Sequence, residues 1–215
     1  MVLQLPPKIW RRGGTNPMQY RPSLYLSADR SVYQDAAVQF TAADKSMLQI
    51  AQGQYSTLAP RTGDLLVCGW WRIDSLPANL GTLLLMGRGG AGNGGLLNVY
   101  AQGTGKVYVE FFDGTAGITP QSDSAVFTAE QWCFVALYFD RDGNLTLYAN
   151  GISVGSADIS SYQGDMTFAK TPFRLGGSTY EPYLIDHRTD SLMFFKKPDL
   201  SAVANDIIAW AYNGG

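Results

Sequence analysis

The stretch Gln131–Gly151, QWCFVALYFDRDGNLTLYANG, constrains the chain more than any other. Trp132, Phe134, Ala136 and Tyr138 alternate with Cys133, Val135, Leu137 and Phe139. Both sets are largely apolar, which predicts a strand covered on both faces, as in the middle of a two-sheet stack. Asp140-Arg141-Asp142-Gly143-Asn144 follows as a polar turn, with glycine where positive φ is needed. Leu145, Leu147 and Ala149 then alternate with Thr146, Tyr148 and Asn150 along a returning strand. Asn150-Gly151 signals a tight hairpin into a third strand from Ile152. Three strands in one meander imply a β-sandwich, with Trp132 expected in its core.

The rest of the chain agrees with that class. Its 215 residues suffice for one all-β sandwich with a sizeable core. Tyr and Phe number 12 and 10, which favours strands over helices. Strands are expected at 23–26, 37–40, 47–50, 64–74, 81–86, 96–101, 107–112, 124–127, 152–157, 173–177 and 191–195. In the strand from Asp64, Leu66, Cys68 and Trp70 share one face; Leu65, Val67 and Trp71 share the other. The one convincing helix follows Ser201 as N-cap, with Val203, Ile207 and Ala211 at helical spacing and Asn213-Gly214-Gly215 as its stop.

Residues 1–19 read differently from residues 20–215. Pro6, Pro7, Pro17 and Gly13-Gly14, with Lys8, Arg11 and Arg12 around Trp10, describe an extended arm. Lys8, Trp10, Arg11 and Arg12 are the expected docking contacts, on another chain. The start MVLQLPPKIWRRGG does not have the form of a signal peptide, so export by the secretory route is not expected. No run reaches the length of a membrane-spanning helix. The net charge of −2 gives no reason to expect nucleic acid or an anionic membrane as partner.

Chemistry-bearing residues are sparse. Cys68 and Cys133 each sit inside an apolar strand and read as buried free thiols, with a disulfide between sheets as the alternative. The glycine run Gly87–Gly95 leads into a strand, LLNVYA, and lacks the helix and the Lys-Ser/Thr of a phosphate loop; it reads as a hairpin loop. Asp140 and Asp142, with Gly143 next, have a spacing that could serve calcium, although a hairpin turn needs the same residues. Tyr180, Tyr183 and His187, with Glu181 and Asp186, form the best polar-aromatic cluster for a sugar, in a loop over 178–189. His187, the one histidine and so the one possible base of a Ser-His-Asp triad, reads as an exposed loop residue.

The order AVQF, MLQI, LLVCGWWRIDSLPANLGTLLLMG, FTAEQWCFVALYFDRDGNLTLYANGISVGSA, FRLGGS and TDSLMFFKKPDLSAVANDIIAWAYNGG resembles the laminin-G-like, concanavalin A-like lectin/glucanase domains, over residues 22–215. That resemblance implies an all-β jelly-roll of two antiparallel sheets with a short C-terminal helix. The fold hosts lectins, enzymes, adhesion modules and virion proteins alike. Its glucanases use closely spaced glutamates on one strand. Here the glutamates are Glu110, Glu130 and Glu181, about 20 residues or more apart, so that signature is absent. Glu110 and Asp113 could face one side of a strand. The expectation is a non-enzymatic recognition or assembly module: a bacteriophage decoration, head-fibre or tail protein on the virion surface. It would be anchored through residues 1–19 to other virion subunits or to its own copies, and would bind glycans. A free lectin, and then a glycoside hydrolase, are the alternatives.

Overall fold

The computed structural model describes residues 24–26, 37–51, 56–168, 171–177 and 183–213. The arm at residues 1–19, and with it Lys8, Trp10, Arg11 and Arg12, lies outside the described residues, as do Tyr180 and Glu181. Thirteen strands and one α-helix are described. In chain order they are β1 Leu24–Leu26, β2 Val38–Phe40, β3 Leu48–Ile50, β4 Asp64–Ile73, β5 Leu80–Gly87, β6 Leu96–Gln102 and β7 Val107–Phe112. There follow β8 Gly117–Ile118, β9 Trp132–Phe139, β10 Asn144–Ala149, β11 Ile152–Asp158, β12 Phe173–Leu175, β13 His187–Lys197 and α1 Ala204–Tyr212. They build two antiparallel sheets, the expected β-sandwich. One has seven strands in the order β1-β13-β4-β9-β10-β11, with β2 also on β13; the other has six, β3-β12-β5-β6-β7-β8.

The doubly apolar strand β9 is explained by two different covers. Cys133, Val135, Leu137 and Phe139 face the core between the sheets, with Val67, Trp71, Val109, Phe111 and Phe194. Phe134, Ala136 and Tyr138 face the other way, under α1, whose Ala204, Ile207, Ile208 and Ala211 close a second cluster with Leu66, Cys68 and Phe195. So the outer face of the seven-stranded sheet is capped by a helix, which its sequence alone does not reveal. Asn150 (φ 49°) and Gly151 (φ 80°) form the left-handed turn expected between β10 and β11.

Four expectations need correction. Trp132 is 41% exposed, not buried: it opens β9 facing the helix side, beyond the cover of α1. The segment 124–127 forms no strand, because the amides of Val126 and Phe127 both donate to Gly105 O at 2.7 Å, holding the chain across a turn. The last strand starts at His187, four residues earlier than expected, and pairs with β4 and β2. The helix begins after Val203, and no side chain caps it; Ser201 lies in the preceding turn. Cys68 and Cys133 are both free and buried.

Candidate functional site

The site is built by the hairpin β6–β7. Period-two alternation sends Leu97, Val99, Ala101, Val107, Val109 and Phe111 into the core. It therefore sends Asn98, Tyr100, Tyr108 and Glu110 to the outer face of the six-stranded sheet. The register locks them together: Asn98 opposes Glu110, and Tyr100 opposes Tyr108. Tyr100 donates its hydroxyl to Glu110 Oε2 at 2.8 Å, and Asn98 Nδ2 lies 3.4 Å from the same oxygen and also donates to the Tyr100 hydroxyl. Burial, and then the hydrogen bond to Glu110, push the Tyr100 hydroxyl well above the usual phenol range, so it stays a neutral donor. The Tyr100 and Tyr108 rings are tilted with centroids 5.8 Å apart.

Tyr183 meets this cluster from above, edge-on to Tyr100 at 5.8 Å. Asn98, Tyr100 and Thr82, which opposes Tyr100 from β5, are buried although they point away from the sandwich core. Asn98 Oδ1 and Thr82 Oγ1 find no hydrogen-bond partner among the described residues. The amide orientation of Asn98 follows from its surroundings, since its NH2 faces a carboxyl and a hydroxyl that has given its own proton away. Both oxygens are covered, so they belong to the floor of the patch, and its reachable groups are the half-buried Tyr108 and Glu110.

Of the loop cluster expected for a sugar, the structure brings Tyr183 alone to this face among the described residues. Asp186 turns the other way and accepts from the amide of Ala42 at 2.7 Å. His187 is fully buried rather than exposed, because it lies in β13 between β4 and β2, stacked on Phe40 with ring centroids 5.0 Å apart. Its Nδ1 is 3.2 Å from Ile185 O, so Nδ1 carries the proton. Nor do Glu110 and Asp113 share a face. Asp113 is buried in the β7–β8 turn, accepting from Thr115, Ala116 and Gly164 amides at 2.7–2.8 Å. Asn98, Tyr100 and Tyr108 were passed over in the sequence, yet the alternation in LLNVYAQ and VYVEFF carries the signal.

Asp140 and Asp142 line a recess of about 240 Å³ with Asp64, Pro198, Asp199 and Ser201. Burial and the charge of Asp64 raise the Asp140 carboxyl above its usual range. Two of the acids there accept hydrogen bonds from the protein itself. Asp64 accepts from Arg141 N at 3.0 Å, Leu200 N at 2.7 Å and the Tyr138 hydroxyl at 3.2 Å; Asp140 accepts from Asp142 N at 3.2 Å. Among the described residues no three His, Cys, Asp or Glu side chains are placed to hold one metal ion. Asp64 and Asp140 thereby hold the β9–β10 turn and the junction after β13.

A family model for the concanavalin A-like lectin/glucanases superfamily matches residues 35–198, and the chain belongs to that superfamily. No curated protein sequence matches it significantly. Among solved structures it is similar to the CBM40 of a Ruminococcus gnavus IT-sialidase bound to α2,3-sialyllactose, with 18% identity over 88% of this chain and 99% of that one, at a TM-score of 0.58. It is also similar to the binding domain of Paraclostridial Mosquitocidal Protein 1 (13% identity, 82% of this chain, 43% of that one, TM-score 0.63). A third is the botulinum neurotoxin serotype G binding domain (14%, 90% and 52%, TM-score 0.60). The chain thus spans about half the length of those two toxin binding domains and nearly all of the sialidase module. At these identities the likeness is one of fold. Among the described residues no helix is long and apolar enough to cross a membrane.

Proposed function

We propose that this chain is a non-enzymatic carbohydrate-recognition module whose ligand lies on the outer face of the six-stranded sheet. One observation carries the reading: Asn98, Tyr100, Tyr108 and Glu110 form a hydrogen-bonded polar-aromatic patch there, with Tyr108 and Glu110 half-buried and open to a ligand. The Tyr108 ring offers stacking area to the C–H face of a sugar, while Glu110, held by Tyr100 and Asn98, offers hydrogen bonds to its hydroxyls. The sialidase module is bound to α2,3-sialyllactose, which supports carbohydrate as the class. Glu110 has no carboxyl partner on the β6–β7 face, which supports binding without hydrolysis.

The experiment is a glycan array with the full chain, followed by calorimetric titration of any sugar it retains. Glu110→Gln and Tyr108→Ala are expected to weaken binding at least tenfold without lowering Tm. A folded protein that retains no glycan, or whose binding ignores both changes, would falsify the reading.

The setting we assign is the surface of a bacteriophage particle, with residues 1–19 as the anchor to neighbouring subunits. The basic-aromatic composition of Lys8, Trp10, Arg11 and Arg12 beside a recognition domain supports it. Light scattering of the chain with and without residues 1–19 tests it. Loss of an oligomer on truncation agrees with an anchor; identical masses sink it.

A further inference from the structure

The β6–β7 patch is one end of a longer row. Antiparallel partners share a face, so the register can be followed across five strands: Gln49 on β3 opposes Arg174 on β12, Arg174 opposes Leu85 on β5, Leu85 opposes Asn98, and Asn98 opposes Glu110. At about 4.8 Å per strand, Arg174 stands roughly 14 Å from Glu110 along that row. The face thus has a hydrogen-bonding end built on Asn98 and Glu110, and a cationic end built on Arg174.

Arg174 differs from the other arginines whose contacts are described. Arg61 pairs with Asp165, Arg72 and Arg188 share Asp74, and Arg141 is buried against backbone carbonyls. Arg174 makes no ion pair among the described residues, and its Nε donates to Gln49 Oε1 at 3.2 Å. That bond orients the planar guanidinium on the sheet, and among the described residues its two terminal NH2 groups have no hydrogen-bond partner. A partly exposed guanidinium held by its Nε presents a two-pronged donor, which matches a carboxylate or a sulfate and nothing neutral as well.

We infer that the glycan recognised by this face is anionic, with its carboxylate or sulfate held by Arg174 and its neutral hydroxyls reaching the Asn98–Glu110 end. The inference rests on the carbohydrate reading above and adds the charge class of the ligand. Arg174 is then the residue that determines specificity, and Gln49 is a positioning residue that fixes its guanidinium.

The test is an array carrying neutral cores beside their sialylated and sulfated forms, followed by calorimetry with lactose, α2,3-sialyllactose and sulfated lactose at low and at physiological salt. An acidic form is expected to bind at least tenfold tighter than its neutral parent, and the advantage is expected to shrink as salt rises. Arg174→Gln should abolish the preference while leaving Tm unchanged. Arg174→Lys, which keeps the charge and loses the fork, should retain part of it. Whichever acidic form wins identifies the anion. Equal binding of neutral and acidic partners overturns the inference while leaving the carbohydrate reading intact. So does an acidic preference that survives Arg174→Gln. A folded chain that binds no member of the array overturns both.

Discussion

The guanidinium carbon of Arg141 lies 5.6 Å from the centre of the Phe111 ring, so a side chain from the β9–β10 turn of one sheet is seated on a core aromatic at the end of the other. Arg141 is only 1% exposed. Its Nη1 donates to Arg61 O at 3.1 Å, and its Nη2 donates to Tyr162 O at 2.5 Å and Gly164 O at 2.9 Å. One side chain therefore ties the lead into β4 and the loop after β11 to the edge of the core. Arg141→Ala would strand those three carbonyls and is expected to cost about 3 kcal/mol or more. Arg141→Lys keeps the charge but cannot reach three acceptors from one plane, so it should recover only part. Urea denaturation reads both. A loss below about 1 kcal/mol for Arg141→Ala would show that water can replace the side chain there.

The two aromatics at the start of β9 should behave very differently. Phe134 is fully buried, tilted against Trp70 at 5.5 Å and Tyr212 at 5.7 Å beneath α1. Trp132, two residues earlier on the same face, is 41% exposed. Phe134→Ala is expected to cost about 3–5 kcal/mol through lost burial and a cavity. Trp132→Ala, with no cavity to leave, should cost about 1 kcal/mol. Equal losses in chemical denaturation would mean that Trp132 is covered in solution.

These residues show where the sequence is legible and where it is not. Alternation placed the strands, because period two follows from the pleat and needs no tertiary information. It also held the β6–β7 site, since Asn98 and Glu110 interrupt apolar runs at matching parity. What alternation cannot tell is which face gains a cover. Trp132 and Phe134 look equivalent until Tyr212 of α1 is seen to cover Phe134 while Trp132 stays exposed. Arg141 and His187 sit in polar stretches that read as solvent-facing, yet each is buried by contacts from segments far away in the chain: Phe111, Tyr162 and Gly164 for one, Phe40 for the other. Polar composition is a correlate of exposure, and a hydrogen-bonded polar group can be buried at little cost.

The thiols give a third expectation. Cys68 faces α1 and Cys133 faces the other sheet, so they lie on opposite sides of adjacent strands and cannot bridge without rebuilding the sheet. Burial pushes Cys133 up to about 11 and Cys68 higher still. A thiol reagent at pH 8 should label neither in the native protein and both after denaturation without reductant. Rapid native labelling, or absent labelling in denaturant, would contradict this arrangement.

The last expectation concerns acid stability and turns on His187. Burial lowers its pKa from 6.5 to about 4, with the Ile185 carbonyl and the charges of Asp74 and Asp186 working weakly against the shift. The folded state therefore favours the neutral ring, while the unfolded chain protonates near 6.5. The neutral ring costs the fold nothing above pH 6.5. As pH falls from 6.5 towards 4 the unfolded state takes up a proton that the folded state refuses, and stability declines by one proton's slope. The full loss below pH 4 is about 3 kcal/mol. Asp113 is held low despite its burial by donors from Ala116, Thr115 and Gly164; its contribution is lost only at lower pH, outside this window. Asp140, raised by burial, works in the opposite direction. Comparison with a variant removes these common terms. His187→Gln is expected to flatten the decline of unfolding free energy between pH 6.5 and 4, whatever its effect at pH 7. If the chain and the variant lose stability in parallel across that window, His187 is already protonated in the fold and its ring is reached by water.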